Sequence, residues 1–114
     1  MKLVNLTPHT ISLYSPNGVD NIAASGQLAR VRYTSQTIGE LNSLPVVRVV
    51  YGDIDGLPAP QNDTAYIVSQ VILTALKDLG STRTDVFAPA TGPNDGAVRN
   101  QNNQVMGVTR LVTL

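Results

Sequence analysis

Only one segment of the chain has the apolar spacing of an amphipathic helix, so one principal helix at most can organise the fold. The apolar residues of this segment recur at steps of one, three and four, and they are Ile67, Val68, Val71, Ile72, Ala75, Leu76 and Leu79. Gly80 follows them and is a natural C-cap. We therefore expect this stripe, including Val71 and Ile72, to be the helix face that packs against a sheet.

The start of this helix has two interpretations. Asp63 or Thr64 could cap a helix that begins near Ala65. Alternatively, 65–68 is a strand and Ser69 is the N-cap. The second interpretation is favoured, because Tyr, Ile and Val in succession are good strand residues.

Most other segments are short and are typical of strands separated by turns. The strand segments are 10–14, 28–33, 46–51, 85–89, 97–99 and 105–112. The turn signal at 15–18 predicts a hairpin, and 52–60, with two Gly and two Pro, is predicted to be a loop. The density of β-branched residues in 46–51 predicts a deeply buried strand. The result is one α+β domain over 1–114, mainly an antiparallel β-sheet with one principal α-helix packed on it.

The composition excludes several classes of site. The chain has 114 residues and no cysteine, which rules out disulfides, thiolate metal sites and a cysteine nucleophile. Its eight basic and eight acidic residues cancel, so it lacks the positive field that holds long nucleic acid. Only 14% of residues are charged while 42% are hydrophobic, a balance that discourages solubility of a lone small domain and predicts a homo-oligomer.

No segment has the length and apolarity of a membrane span or a signal peptide. The most apolar stretch, 66–79, is interrupted by Ser, Gln, Thr, Lys and Asp. The apolar residues near the N-terminus give way to Thr7, Pro8 and His9, too early for a signal-peptide core. We therefore expect a soluble cytoplasmic protein with no membrane partner.

Residues suited to catalysis are few. His9 is the only histidine, and it lies in a turn between two predicted strands, where an imidazole serves its own loop or contacts a ligand. Asp53 and Asp55 resemble a metal loop, but the further acidic ligands of a calcium loop are missing, and no Gly-rich phosphate loop is present. No constellation predicts an enzyme, a cofactor or a metal. A nucleotide-processing enzyme that uses His9 with an aspartate is the alternative.

The basic residues are more informative, because six of the eight are arginine. A guanidinium group binds phosphate through two parallel hydrogen bonds and stacks on aromatic rings, which an ammonium group does not. The candidate ligand-binding residues are Arg30, Arg32, Arg48, Arg83, Arg99 and Arg110, with His9, Tyr66 and Thr84 as further contacts and Tyr33 as an alternative ring. Arg83 and Arg99 lead, because both lie near turns after the helix, where backbone groups can also reach a ligand. The alternative is that these arginines are solvent-facing strand residues paired with aspartate.

Five segments of the chain, in order, resemble a family of small proteins encoded in phage and bacterial genomes. They are Asn5-Leu6-Thr7-Pro8-His9, 52–60, Ala65-Tyr66-Ile67-Val68-Ser69 before the helix, Arg83-Thr84-Asp85 before Pro89, and 107–111. The resemblance covers most of the chain but brings no activity and no catalytic residue with it. It implies a phage or prophage setting, where small proteins counter host defence, some of them as sponges that sequester nucleotide second messengers.

Three classes of function follow. The first is non-enzymatic binding and sequestration of a small phosphorylated molecule, such as a cyclic nucleotide or a cyclic ADP-ribose-like immune signal, by a phage-encoded anti-defence protein. The second is a protein–protein interaction module, either a virion accessory or an inhibitor of a host factor, for which open apolar strand faces are suited. The third is the nucleotide-processing enzyme. We expect the first, acting in the cytoplasm of an infected or lysogenic bacterium.

Overall fold

The computed structural model describes all residues, Met1–Leu114, and contains ten strands and one helix. In chain order these are β1 (Lys2–Asn5), β2 (Ile11–Ser15), β3 (Gly18–Ile22), β4 (Arg30–Leu41), β5 (Leu44–Asp55), β6 (Thr64–Ile67), α1 (Gln70–Asp78), β7 (Val86–Pro89), β8 (Val98–Arg99), β9 (Val105–Gly107) and β10 (Leu111–Val112). Four strands in the order β1-β6-β7-β10 form the central sheet. The other six form three two-stranded sheets, β2-β3, β4-β5 and β8-β9.

The predicted fold class is confirmed, since the chain is α+β with mostly antiparallel strand pairs and a single helix. The hairpin predicted at the first turn is also confirmed, because β2 and β3 pair antiparallel. The centre of the main sheet adds a feature that the sequence analysis did not predict: β1, β6 and β7 run parallel. Helix α1 connects β6 to β7, which is the usual way to join neighbouring parallel strands. β10 then pairs with β7 antiparallel.

Helix α1 begins after Ser69, as the favoured interpretation predicts, and β6 precedes it as a strand. The Ser69 hydroxyl accepts a hydrogen bond from the Ile72 N–H at 3.5 Å. Leu79 is the C-cap, and Gly80 beyond it has a φ of 75°, a left-handed conformation that glycine adopts without strain. Both ends of the helix are therefore fixed by their own sequence.

The core lies between α1 and the central sheet. Its eight members come from the loop after β1, from β6 and the residue after it, from α1 and from β7: Leu6, Tyr66, Val68, Ile72, Leu73, Leu76, Val86 and Ala88. The predicted helix face is wrong at Val71 and Leu79, which are 53% and 52% exposed, while Leu73 is buried. At Val71 the physical reason is that Ile67, four residues earlier, lies in β6, so helical spacing between them does not apply, and Leu79 is the C-cap at the end of the helix. Val68, Ile72 and Leu76 keep the predicted spacing and are all buried.

The largest departure from prediction is the hairpin of β4 and β5, whose strands have twelve residues each. The predicted loop at 52–60 is wrong for 52–55, which belong to β5. The strand at 46–51 is not deeply buried, because no other layer of the chain covers the hairpin beyond its base. We call residues 33–51 the arm. It raises the radius of gyration to 16.4 Å, whereas a compact chain of this length has about 13 Å.

The C-terminal segment folds back beside β2. The strand predicted at 105–112 is broken into β9 and β10, and Val108 between them forms a bridge with Leu13 of β2. The short strand predicted at 97–99 is β8, which pairs with β9. The only helix, α1, is too short to cross a membrane.

Candidate functional site

A cleft lies at the carboxyl edge of the parallel strands β1, β6 and β7. Its first part has a volume of about 320 Å³ and is lined by Thr7, His9, Ile11, Ser69, Gln70, Pro89 and Thr91. Thr7 and His9 follow β1, whereas Ser69 and Gln70 follow β6. Thr91 comes from the loop after β7. Crevices at this edge are the usual ligand sites of sheets with parallel strands, because loops and helix N-termini converge there.

The second part of the cleft adjoins the first and has more hydrophobic residues in its walls. It has a volume of about 280 Å³ and shares His9, Ile11, Pro89 and Thr91 with the first part. Its other walls are Thr10, Ser12, Val105, Met106, Gly107 and Val108. The two parts form one cleft with a polar end at the start of α1 and an apolar end at β9. Each part is near the lower limit of small-molecule sites, which span about 300–1,000 Å³.

The buried side chain of Asn5 shapes the loop that carries His9. Its Nδ2 donates to the His9 carbonyl at 2.7 Å and to the Ile22 carbonyl at 3.0 Å. Its Oδ1 accepts from the Thr7 N–H at 2.9 Å and from the Thr7 hydroxyl at 2.7 Å. The side-chain amide of Asn5 thus makes all of its hydrogen bonds within this turn and to β3, and these bonds hold the turn against β3. The imidazole of His9 stays exposed at the mouth of the cleft and forms no ion pair with a carboxylate.

Among the six predicted arginines, Arg99 lies beside the cleft. Its Nη2 donates to the Thr91 carbonyl at 3.1 Å, and Thr91 lines both parts of the cleft. Its Nη1 donates to the Asn103 carbonyl at 3.0 Å. These two bonds hold the guanidinium group at the rim, and the other N–H groups of its fork are left for a ligand.

The cleft has no negative side chain, since neither part is lined by aspartate or glutamate. The first turn of α1 adds partial positive charge, because the first N–H groups of a helix have no partner within it. Gln70 closes the gap between the helix and β7, as its Nε2 donates to the Pro89 carbonyl at 2.9 Å. Together with Arg99 and His9, this arrangement favours an anion with an apolar part.

Arg83, the other leading candidate, lies at the opposite edge of the sheet, before β7. Its Nε and Nη2 donate to the Asp85 carboxylate at 2.8 and 2.9 Å, and Nη2 also donates to the Pro58 carbonyl at 2.9 Å. The hydrogen bonds from Arg83 hold the pKa of Asp85 below its ordinary value of 3.8, and the same pair raises the pKa of Arg83. The charge of Arg83 is therefore matched by Asp85, and its bond to the Pro58 carbonyl holds the loop between β5 and β6.

Two predicted contacts lie next to Arg83. Tyr66 is only 2% exposed, its hydroxyl donates to the Ala59 carbonyl at 3.3 Å, and the Arg83 guanidinium lies 6.0 Å from its ring centre. The hypothesis that Tyr66 stacks on a base is therefore wrong, because the ring is enclosed in the core. Thr84 is exposed and lines a separate hollow of about 380 Å³ with Arg83 and Asp85. That hollow is larger than either part of the cleft, but the charges of Arg83 and Asp85 in its wall cancel one another.

The remaining arginines do not converge on the cleft. Arg32 pairs with Asp55 at 2.9 Å on the exposed base of the hairpin, as the solvent-facing alternative predicts. Arg30 lies beside it on β4, and Arg48 lies on the exposed arm opposite Gln36, with Tyr33 also on the arm. Arg110 is exposed between β9 and β10.

Gln70, Thr91 and Met106 are among the cleft residues that the sequence did not predict. A usable signal was present, because a strand, a helix and a strand follow one another over 64–89, the order of a parallel β–α–β unit. Recognising it would have placed the residues after β6 and β7 at one edge of the sheet.

Comparison with known proteins adds no assignment. No family model matches the chain, and neither a curated protein nor a solved structure matches it. The family resemblance of the five sequence segments therefore stays a prediction.

Proposed function

We propose that the protein binds a small phosphorylated molecule in the cleft and sequesters it without turnover. The observation that carries this proposal is the cleft at the carboxyl edge of β1, β6 and β7, which has Arg99 at its rim, His9 at its mouth and no acidic lining residue. Of the residues predicted from sequence, His9 lines this cleft and Arg99 lies beside it.

The polar end of the cleft suits the phosphate. Phosphate groups bind at helix N-termini, where backbone N–H groups and the helix dipole both favour negative charge. The Ser69 hydroxyl caps this helix and also lines the cleft. The guanidinium of Arg99 supplies a full positive charge at the rim, and a hydrogen bond of this type contributes about 1.5–3 kcal/mol.

The apolar end suits a ring such as a nucleobase. Val105, Met106 and Val108 line it on one side and Ile11 on the other. A methionine thioether makes favourable contacts with aromatic rings and adapts its shape to them. A phosphate at one end and a ring at the other are the two parts of a cyclic nucleotide or a cyclic ADP-ribose-like signal, so this is the ligand class we propose. The phage and bacterial resemblance supports sequestration of such a signal in the bacterial cytoplasm as anti-defence.

The test is native mass spectrometry of the purified protein with cyclic mononucleotides, cyclic dinucleotides and cyclic ADP-ribose, followed by calorimetric titration of the retained compound. Arg99→Ala should weaken binding by roughly tenfold to a hundredfold or more. Arg48→Ala is the matched control, because Arg48 is also exposed but lies on the arm, and it should bind like the parent. Equal affinities of the two variants would contradict the proposed site.

The same experiment separates the two other classes of function. A bound compound whose mass changes with time, at a rate lost in His9→Ala, would support the nucleotide-processing enzyme. Retention of no compound would favour the protein–protein interaction module. That second candidate draws on a specific observation, the apolar arm, whose exposed valines and leucines have no cover within the chain.

A further inference from the structure

The arm is a two-stranded ribbon with side chains exposed on both faces. β4 and β5 pair only with each other, so the outer edge of each strand has no partner in the chain. At the base, Val31 and Ile54 pack against the core, whereas every residue over 32–50 is exposed. The exposed apolar residues of the arm include Ile38, Leu41, Leu44, Val46, Val47, Val49 and Val50. Two-stranded ribbons are marginal in water, and long apolar edge strands are templates for pairing.

The two faces of the arm differ in charge. Cross-strand partners share a face, and the pairs Tyr33–Tyr51, Ser35–Val49 and Thr37–Val47 are on one side. None of these six residues is charged, and we call this side the uncharged face. The opposite side carries Arg48 beside Gln36. Glu40 is the first charged residue on this side of the arm between the uncharged face and the tip.

The accessible area of the chain fits a dimer. A compact monomer of 12.1 kDa exposes about 6,000 Å². This chain exposes 7774 Å², about 1,800 Å² more than that scaling gives. A standard protein–protein interface buries about 800 Å² on each partner. Burying roughly half of the excess area on each of two copies would therefore be enough for a dimer interface.

We propose that the arms of two copies of this chain pack antiparallel, uncharged face against uncharged face, around a two-fold axis near the Ser35–Val49 pair. A two-fold contact must be complementary to itself, and a face without charges brings no like charges together. About this axis, residues 33–37 and 47–51 of one arm lie opposite the same residues of the other. The chain has a net charge of zero, so the two copies do not repel one another at long range.

The chain offers a closely matched pair of variants for the test. Val49 and Val50 are neighbours on β5 with 46% and 45% exposure, but they point to opposite faces of the arm. Val49→Lys puts two ammonium groups together across the proposed axis, whereas Val50→Lys puts its charge on the side that already carries Arg48. Neither residue belongs to the core, and the circular dichroism spectrum of each variant checks that the fold is retained.

The experiment is sedimentation velocity on the full chain from 1 to 100 µM, without added ligand. We expect a dimer for the parent and for Val50→Lys, and for Val49→Lys a dissociation constant raised by at least a hundredfold. Mixing Val49→Lys with Val49→Glu should restore a dimer, because the two charges then attract. A monomeric parent at 100 µM, equal effects of the two lysine variants, or failure of the mixture to associate would overturn the proposal.

Discussion

Two neighbouring residues of α1 test the packing of the core. Ile72 is 3% exposed among Leu6, Tyr66 and the other core side chains, whereas Val71 is 53% exposed. Ile72→Ala removes three carbon atoms, worth about 0.8 kcal/mol each, and leaves a cavity, for a total loss of about 3–4 kcal/mol. Val71→Ala removes two carbon atoms that are half in water, and the higher helix propensity of alanine, about 0.5 kcal/mol, offsets most of that loss.

Urea denaturation followed by circular dichroism measures both variants at one fixed protein concentration, since association of copies would otherwise change the result. The free energy of unfolding of a small protein falls by about 1–3 kcal/mol per molar urea, so Ile72→Ala should lower the urea midpoint by more than about 1 M. Val71→Ala should shift it by less than about 0.5 M. If the two variants lost equal stability, the orientation of α1 with Ile72 toward the core and Val71 toward solvent would be refuted.

Three further predictions concern stability. Arg83 lowers the pKa of Asp85 below 3.8, so their pairing stabilises the fold above that pH and is lost as the pH falls through the lowered pKa. Below about pH 4, the free energy of unfolding should therefore fall less steeply with decreasing pH in Asp85→Asn than in the parent. Asn5→Asp replaces a donor to the His9 and Ile22 carbonyls by a buried carboxylate oxygen and should cost more than about 2 kcal/mol in urea, whereas the exposed Asn21→Asp should cost little. The melting temperature should rise by about 6 °C when the protein concentration rises a hundredfold, and this rise should vanish in Val49→Lys.

Local sequence signals predicted the elements whose boundaries are set by their own residues. Ser69 and Gly80 mark the two ends of α1 in the sequence, and both act there in the structure. The turn between β2 and β3 was found for the same reason, since Asn17 and Gly18 accept turn conformations. Parallel pairing of β1 with β6 depends on partners some sixty residues apart, and no local pattern reports it.

Burial was predicted less well than secondary structure, because β-branched residues favour strands whether or not another layer covers them. The segment 46–51 is a strand, as expected, but its valines are exposed on the arm. The six arginines do not converge on one cleft for a related reason. Sequence identifies a guanidinium group but not its neighbour, and Arg83 and Arg32 each have an aspartate within 2.9 Å.

The cleft and the arm are separate parts of the fold, and α1 is the element that connects them. Its first turn borders the cleft, and its buried side chains belong to the core on which Val31 and Ile54 of the hairpin base pack. Only 17 of the 114 residues are buried, so association of the arms should stabilise the whole small core. Because α1 is capped at both ends, we expect that stabilisation to leave the shape of the cleft unchanged. Val49→Lys should then bind the retained ligand with the affinity of the parent, and Arg99→Ala should remain a dimer. A loss of ligand affinity in the folded Val49→Lys monomer, measured by the same titration, would show instead that the cleft is complete only in the dimer.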